Sequence, residues 1–201
     1  TTTGYDAFGA ANLSKLEGLD GSWQTYGLVQ TTRDAAMRVT CTTTRMDPTV
    51  SPPGSACLQS GAAPVPDPIT SSGYNIYSQR NEVVTGLLSG AARTYQAIAY
   101  TVDGPPDHVL DANGARTTYE YDNFGRLKKT SYPHPTSVGT SSTTDYEEYT
   151  YDNYGRLTAR RGRDGQSFAF TYDNLGRLTY RDAPGSQPDV TYTYDLMGRM
   201  T

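Results

Sequence analysis

A nine-residue motif occurs four times in the second half of this chain, and that repetition constrains the fold more than any other feature. The copies read YEYDNFGRL, YTYDNYGRL, FTYDNLGRL and YTYDLMGRM, and their Tyr-Asp pairs begin at Tyr121, Tyr151, Tyr172 and Tyr194. The last three copies are therefore 21 and 22 residues apart, a period typical of solenoid-type repeats. Such units bury their apolar faces by stacking side by side, so we expect one architecture in all copies.

The residues of the motif are typical of a tight turn between two strands. In the first copy, Asp122 and Gly125 suit the first and fourth positions of a type I turn, because Gly adopts a positive φ at no steric cost. Arg126 then lies opposite Asp122 with the opposite charge. The same positions recur in every copy, and we predict turn and pairing roles for Asp122, Gly125, Arg126, Asp152, Gly155, Arg156, Asp173, Gly176, Arg177, Asp195, Gly198 and Arg199.

The hairpin that this turn closes sorts its side chains by polarity. We predict that Tyr121 lies opposite Leu127 and that Glu120 lies opposite Lys128. One face of the hairpin then carries Tyr and Leu side chains and is buried, while the other carries paired charges. A slip of one residue would exchange the two faces, so the alternation specifies this register.

A second kind of turn is predicted between the motifs. Asn113-Gly114 and Asp164-Gly165 are typical of two-residue hairpin turns with a positive φ at both positions. Each repeat is then two strands and two turns. The sequence therefore predicts an all-β fold, in which repeated antiparallel β-hairpins form a segment of one continuing sheet.

The rest of the chain divides by composition. Weaker copies, GYDAFGAANL and TTRDAAMRVT, lie near the N-terminus, and residues 46–73 hold six of the twelve prolines. A short turn of helix is the best prediction for NLSKLEGL, which begins at Asn12. We predict a degenerate β segment at 1–45, an irregular Pro-rich loop insertion at 46–73, a β segment at 74–108 and clean repeats at 109–201. The last repeat is incomplete, so we expect the chain to be a fragment of a longer protein.

Charge and hydropathy argue against two classes of partner. The chain has 17 basic and 21 acidic residues and a net charge of −4, and it lacks the basic stripe that a nucleic-acid partner requires. The densest basic cluster, Arg160, Arg161 and Arg163, is predicted to be a solvated strand face. No apolar run approaches the roughly 18–20 residues of a membrane span.

The cysteines and histidines give weaker signals. Cys41 and Cys57 flank a Pro-rich loop, and a disulfide between them would contribute about 3 kcal/mol by closing a short loop. The sequence leaves open whether these thiols are bonded or free. His108 and His134 are far apart and flanked by Pro, so we predict loop residues and no metal site.

The repeated Asp and Arg residues are poor candidates for catalysis. Catalytic groups need unequal environments that shift their pKa values apart, whereas these pairs are equivalent from copy to copy. We therefore predict no catalytic residue and no cofactor site, and we expect no enzyme.

The third turn position holds a large apolar residue in each copy: Phe124, Tyr154, Leu175 or Met197. We predict that these side chains contact the adjacent turn. The alternative is a partner or glycan contact, for which Phe124, Tyr154 and Trp23 are the candidates.

The segments DANGARTTYEYDNFGRL and RDGQSFAFTYDNLGRL resemble the YD or Rhs repeat. Families with this repeat include bacterial Rhs and wall-associated polymorphic toxins, the C components of insecticidal toxin complexes, and teneurins. The resemblance covers residues 109–201 and implies a β-sheet that spirals into a hollow shell. The self-cleaving segment of the bacterial families, with its Asp-Pro-x-Gly-like signature, has no counterpart here, so no protease or toxin activity is expected.

The resemblance also implies a role. It suggests a non-enzymatic shell segment of a secreted or surface-exposed bacterial protein. The partners implied are neighbouring repeats and a toxin or effector domain of the same longer chain. The alternative is an adhesion module that binds carbohydrate or a cell surface.

Overall fold

The computed structural model describes residues 2–5, 11–20, 22–47, 53–59, 66–86 and 92–201. The chain forms two compact units, Thr1–Ile98 and Ala99–Thr201. All elements of the described part are β-strands, and successive strands within each unit pair antiparallel. The predicted all-β meander of repeated hairpins is confirmed.

The first unit contains the strands that precede the clean repeats. They are β1 (Thr2–Tyr5), β2 (Ala11–Asp20), β3 (Ser22–Arg33), β4 (Val39–Arg45), β5 (Ile69–Tyr74), β6 (Arg80–Thr85) and β7 (Arg93–Tyr100). The strand β4 pairs with β5, so the two strands on either side of the Pro-rich insertion are neighbours in the sheet.

The second unit contains the clean repeats. Its strands are β8 (Pro106–Asp111), β9 (Arg116–Tyr121), β10 (Leu127–Pro133), β11 (Ser141–Tyr151), β12 (Leu157–Arg161), β13 (Ser167–Tyr172), β14 (Leu178–Asp182) and β15 (Val190–Thr191). The repeated motif spans the β9–β10, β11–β12 and β13–β14 turns. Because connections alternate in a meander, these turns share one edge of the sheet.

The predicted register is correct next to the turn and wrong beyond it. Leu127 lies opposite Tyr121, as predicted, but a β-bulge follows and Glu120 lies opposite Lys129 rather than Lys128. The bulge recurs in the next two hairpins. An extra residue on one strand increases the local right-handed twist, and it moves every later side chain to the other face relative to the predicted pattern.

The second predicted turn type is also wrong. Gly114 and Gly165 have φ values of 76° and 83°, whereas Asn113 and Asp164 do not have a positive φ. Instead, the N–H of Gly114 donates to Asp111 O over 2.9 Å, as in the repeated motif. The turns at both edges therefore share one backbone geometry, in which only the Gly position needs a positive φ.

Three further predictions are corrected. The segment predicted as a helical turn from Asn12 lies in β2. The strand β5 begins at Ile69, inside the predicted loop insertion of 46–73. His108 lies in β8 opposite Thr118 rather than in a loop.

The predicted burial of the Tyr-rich face is only partial. Tyr121, Tyr151 and Tyr172 are half-buried, because no second layer of described residues covers them. The fully buried apolar side chains instead cluster in the first unit, where Ala56 of the Pro-rich insertion packs with Cys41 of β4 and Ile69 of β5.

Candidate functional site

The repeated turns are held by one Asp side chain and one positive-φ Gly. In the second copy, Asp152 Oδ1 accepts hydrogen bonds from the N–H groups of Tyr154 and Arg156 at 2.8 and 2.9 Å. Arg156 Nε then donates to Asp152 Oδ2 over 2.6 Å. Gly155 has a φ of 83°, and its N–H donates to Asp152 O over 3.1 Å.

These contacts stabilise the ionised form of the carboxylates. The backbone hydrogen bond from Arg177 is the largest cause that holds the pKa of Asp173 below its usual value, and partial desolvation opposes it. The pKa values of Asp122, Asp152 and Asp195 are lowered as well. A carboxylate that already accepts three hydrogen bonds and stays ionised at neutral pH is unsuited to general acid–base chemistry.

Each Arg also reaches the following copy of the motif. Arg126 lies over the ring of Tyr151 at 4.6 Å from the centroid, and its Nη1 donates to Asp152 O over 3.1 Å. Arg156 repeats both contacts with Tyr172 and Asp173, at 4.9 Å and 3.2 Å. We call this pair of contacts the interturn clamp.

The Tyr of each copy makes a contact in the opposite direction. Tyr151 Oη donates to Leu127 O over 2.9 Å, and Tyr172 Oη donates to Leu157 O over 2.8 Å. The half-buried Tyr ring is thus fixed at its hydroxyl by the preceding hairpin and at its face by the preceding Arg. Cation–π contacts and hydrogen bonds of this kind each contribute about 0.5–1.5 kcal/mol.

The first unit contains the same turn twice, with altered residues. Asp34 and Arg38 pair as in the clean copies, and Met37 takes the Gly position with a φ of 63°. Arg38 lies over the Tyr74 ring at 4.7 Å, and Tyr74 Oη donates to Val39 O over 2.8 Å. The ring contact of the clamp is kept here, while Arg38 Nη1 donates to Ser78 Oγ over 3.0 Å instead of to a backbone carbonyl, and these contacts connect two hairpins on either side of the Pro-rich insertion.

The second altered turn was not recognised in the sequence. Asn75 takes the Asp position and bonds the side chain of Gln79 over 2.8 Å, while Ser78 takes the Gly position with a φ of 64°. The pair Tyr74-Asn75, with the small residue Ser78 at the Gly position, could have revealed it, because Asn accepts the same backbone hydrogen bonds as Asp.

The Pro-rich insertion is anchored by a buried ion pair. Arg45 Nη1 lies 2.8 Å from Asp67 Oδ2, and the two side chains are 1% and 0% exposed. Arg45 also donates to Gln30 Oε1 and to the carbonyls of Ser55 and Leu58. The hydrogen bonds offset the desolvation of both charges, and they join the loop to the sheet at Ser55, Leu58 and Asp67.

The two cysteines belong to the same anchor. Cys41 and Cys57 form a disulfide with a Cα–Cα distance of 5.3 Å. It joins β4 to the insertion. Trp23 lies in β3, but its side chain is outside the described residues.

The apolar row at the turn tips does not pack as predicted. Phe124, Tyr154, Leu175 and Met197 are 82%, 85%, 77% and 81% exposed, which is too open for contact between adjacent turns. Phe124 and Tyr154 instead lie beside the guanidinium of their own turn, at 5.0 and 5.1 Å. The row is a candidate contact surface.

The Arg side chains of the basic cluster form more contacts with neighbouring residues than the sequence indicated. Arg163 donates to both carboxylate oxygens of Asp145, Arg160 pairs with Glu147 at 3.0 Å, and Arg161 lies over the Tyr146 ring at 3.8 Å. These contacts spread the positive charge over local partners, and the cluster offers no phosphate-binding stripe.

Neither histidine lies in a metal site. His108 Nδ1 is 2.6 Å from Asp107 Oδ2, and His134 accepts from the N–H of Ser137 at 3.1 Å. Within the described ranges, no three His, Cys, Asp or Glu side chains are grouped so as to hold a metal ion. The described part also contains no helix with the length and apolarity that a membrane crossing requires.

Comparison with known proteins identifies the repeat and the fold. Residues 108–137 and 151–187 match the RHS Repeat family model. The chain is similar in structure to the TcdB2-TccC3-Cdc42 complex, with a TM-score of 0.65 and 17% identity over 98% of this chain. It is also similar to TcdB2-TccC3, with a TM-score of 0.64 and 17% identity over 98% of this chain.

A third similar structure is a Photorhabdus luminescens Tc holotoxin pore that carries a substituted TccC3, with a TM-score of 0.61 and 17% identity over 96% of this chain. The chain spans 10–11% of the length of these matched chains. At this identity the likeness shows the fold. A search of curated proteins finds no match.

Proposed function

Because this chain carries repeats of the YD/Rhs family, we propose that it is a non-enzymatic wall segment of a larger shell. The shell would enclose or present a toxin or effector domain of the same longer protein. The similar structures are components of toxin complexes, which supports a bacterial protein that acts outside its cell of origin. The partners of this segment are then the neighbouring repeats and the enclosed domain.

The interturn clamp carries the proposal. Arg126 and Arg156 each connect one hairpin to the next through a ring and a carbonyl. A contact that successive copies repeat allows a sheet to extend by adding copies, and the next Arg, Arg177, again lies over the following ring, that of Tyr194. The paired Asp and Arg residues are used in this way, which leaves them unavailable as reactive groups.

The proposal is tested in the longer protein by limited proteolysis. A domain enclosed by the shell should resist digestion, and Arg126→Ala with Arg156→Ala should open the wall and make that domain sensitive. The exposed pair Arg163–Asp145 provides the control, since Arg163→Ala leaves the clamp intact. Equal digestion of the domain in the presence and absence of intact repeats would refute enclosure.

The exposed turn tips favour a second candidate function. Phe124 and Tyr154 are aromatic and more than four-fifths exposed, which suits stacking on a sugar or contact with a cell-surface protein. A glycan array with the chain and with Phe124→Ser/Tyr154→Ser tests this role. Specific binding that the double variant loses would favour an adhesion module over a purely structural wall.

A further inference from the structure

A cleft of about 800 Å³ lies between the 101–105 turn and the first clean copy of the motif. Its lining includes Thr101, Asp103, Pro105, Tyr121, Asp122 and Gly125. All of these residues belong to the second unit. The cleft lies at the edge of the sheet that carries the clamps.

The 101–105 turn has the backbone of the repeated motif but lacks its Arg. The N–H of Thr101 donates to Pro105 O over 2.8 Å, and the N–H of Gly104 donates to Thr101 O over 3.2 Å. Tyr121 Oη donates to Pro106 O over 3.0 Å, just as later Tyr residues bond the preceding Leu carbonyl. Pro105 therefore occupies the position that Arg126 and Arg156 take in later turns.

The groups that receive the Arg in other copies are open here. A Cβ added to Gly125 would meet no atom within 4 Å, whereas one added to Gly155 would lie 3.7 Å from Arg126 Nη1. Asp122 O accepts the N–H of Gly125, and no described Arg donates to it. Desolvation, followed by the nearby Tyr119 and Asp107, raises the pKa of Tyr121, which is consistent with a ring that lacks a cationic neighbour.

The charge of the cleft is one-sided. Its lining residues include Asp103, Asp107, Glu120 and Asp122 but no Lys, Arg or His. Asp122 is already paired with Arg126, Asp107 with His108 and Glu120 with Lys129. Asp103 is exposed and forms no ion pair with the described residues, so it is the carboxylate best able to pair with a ligand.

We propose that this cleft binds the guanidinium group of an arginine side chain supplied from outside the turn. The aromatic face of Tyr121 and the carbonyl of Asp122 receive it as Tyr151 and Asp152 receive Arg126, and Asp103 pairs with its charge. A planar guanidinium stacks on a ring while donating at its edge, which the compact ammonium of Lys cannot reproduce. The site selects arginine over lysine.

The binding test uses the labelled 201-residue chain and an NMR titration with N-acetyl-arginine methylamide. Matched lysine and norleucine amides are the control probes. We expect amide shifts confined to residues 101–107 and 119–125, largest for arginine, weaker for lysine and absent for norleucine. Free arginine is titrated as well, to decide whether the site is built for a peptide side chain or for the free amino acid. A site for a peptide side chain should bind the capped arginine at least as tightly as free arginine. Equal shifts with all three capped probes, or shifts elsewhere only, would overturn the proposal.

Two variants test the site by different means. Thr101→Asp/Pro105→Arg rebuilds the turn and its clamp, so the internal Arg should occupy the cleft and abolish probe binding; Pro105→Ala leaves the cleft open and should retain it. Asp103→Asn should weaken binding about two- to five-fold, the range of an exposed ion pair. Undiminished binding to a folded double variant would contradict the assignment. If that variant does not fold, undiminished binding to Asp103→Asn together with equal affinity for arginine and lysine would do so.

Discussion

The two units build similar hairpins but stabilise them differently. In the first unit, the described parts of the Pro-rich insertion are joined to the sheet by the Cys41–Cys57 disulfide and the buried Arg45–Asp67 pair. In the second unit, neighbouring copies hold one another through the interturn clamp, and most side chains are only half-buried. A regular repeat needs no such anchor, because each copy has a neighbour with the same contacts.

A comparison of the turns in the two units shows which parts of the motif the turn requires. The altered turns at Asp34 and Asn75 keep the acceptor side chain at the first position and a positive φ at the fourth. They do not keep Gly, and the second does not keep Arg. The positive φ is shared by all these turns, including the 101–105 turn, whose first residue Thr101 donates its hydroxyl to Pro105 O, while Arg serves the contact with the next copy.

The largest expected effect lies in the first unit. Asp67→Ala leaves Arg45 charged and buried without its partner, and this should lower the free energy of unfolding by about 3–5 kcal/mol. Urea unfolding followed by hydrogen exchange of β3, β4 and β5 measures it. In contrast, Asp145→Ala removes an exposed pair in the second unit and should cause little change. Equal losses would remove the distinction between the units.

Removing the disulfide should give the next largest effect. The bond closes a loop with a sequence separation of 16, and its loss should lower the free energy of unfolding by about 3 kcal/mol. Thermal unfolding with and without reductant measures it, with Cys41→Ala/Cys57→Ala as the matched variant. The loss should be confined to the first unit. A reductant effect that persists in the double variant would point to another cause.

A substitution in the second unit should separate the turn from the clamp. Arg156→Gln copies the altered turn that carries Gln79, so the backbone turn should persist while the contacts with Tyr172 and Asp173 are lost. We expect the free energy of unfolding to decrease by about 1–2 kcal/mol, because one cation–π contact and one hydrogen bond are lost. Urea unfolding measures the decrease, and NMR shifts at Gly155 and Gly176 show which turn changes. Loss of the turn itself would mean that Arg is required locally.

The smallest pair of changes tests the positive φ directly. Met37→Gly relieves an L-residue with a φ of 63° and should stabilise the first unit by about 1 kcal/mol. Gly125→Ala should destabilise the second unit by about as much, since the added Cβ would meet no atom within 4 Å and only backbone strain remains. Thermal unfolding of both variants measures the two shifts. Shifts of the same sign would contradict the strain argument.

The sequence predicted the local geometry well because the residues that form it are adjacent in the chain. Asp122, Gly125 and Arg126 lie within five positions, and the pairing of Tyr121 with Leu127 follows directly from their turn. The bulge after Leu127 was missed, because twist is a property of the paired strands and leaves no mark in the alternation. The reach of Arg126 to Asp152 was missed for a related reason, since it depends on the distance between hairpins.

The insertion was the least predictable region. Its prolines indicated an irregular loop, which is consistent with the described residues up to Pro68. Nothing in the composition indicated that Arg45 and Asp67 would be buried together, because a buried ion pair is specified by tertiary packing. The exposed turn tips, such as Phe124 and Tyr154, were likewise predicted to pack because an apolar residue was assumed to have a neighbour.

Because successive connections alternate between the two edges of a meander, the two edges should differ in how well they tolerate insertions. In the described second unit, the clamps act between turns at one edge of the sheet, whereas the long connection after β10 leaves from the other edge. Lengthening a connection there adds only a slowly growing loop-closure entropy and leaves the clamps in register. The edge opposite the motif is therefore the permissive place to graft a foreign loop, an epitope or a reporter domain into this protein.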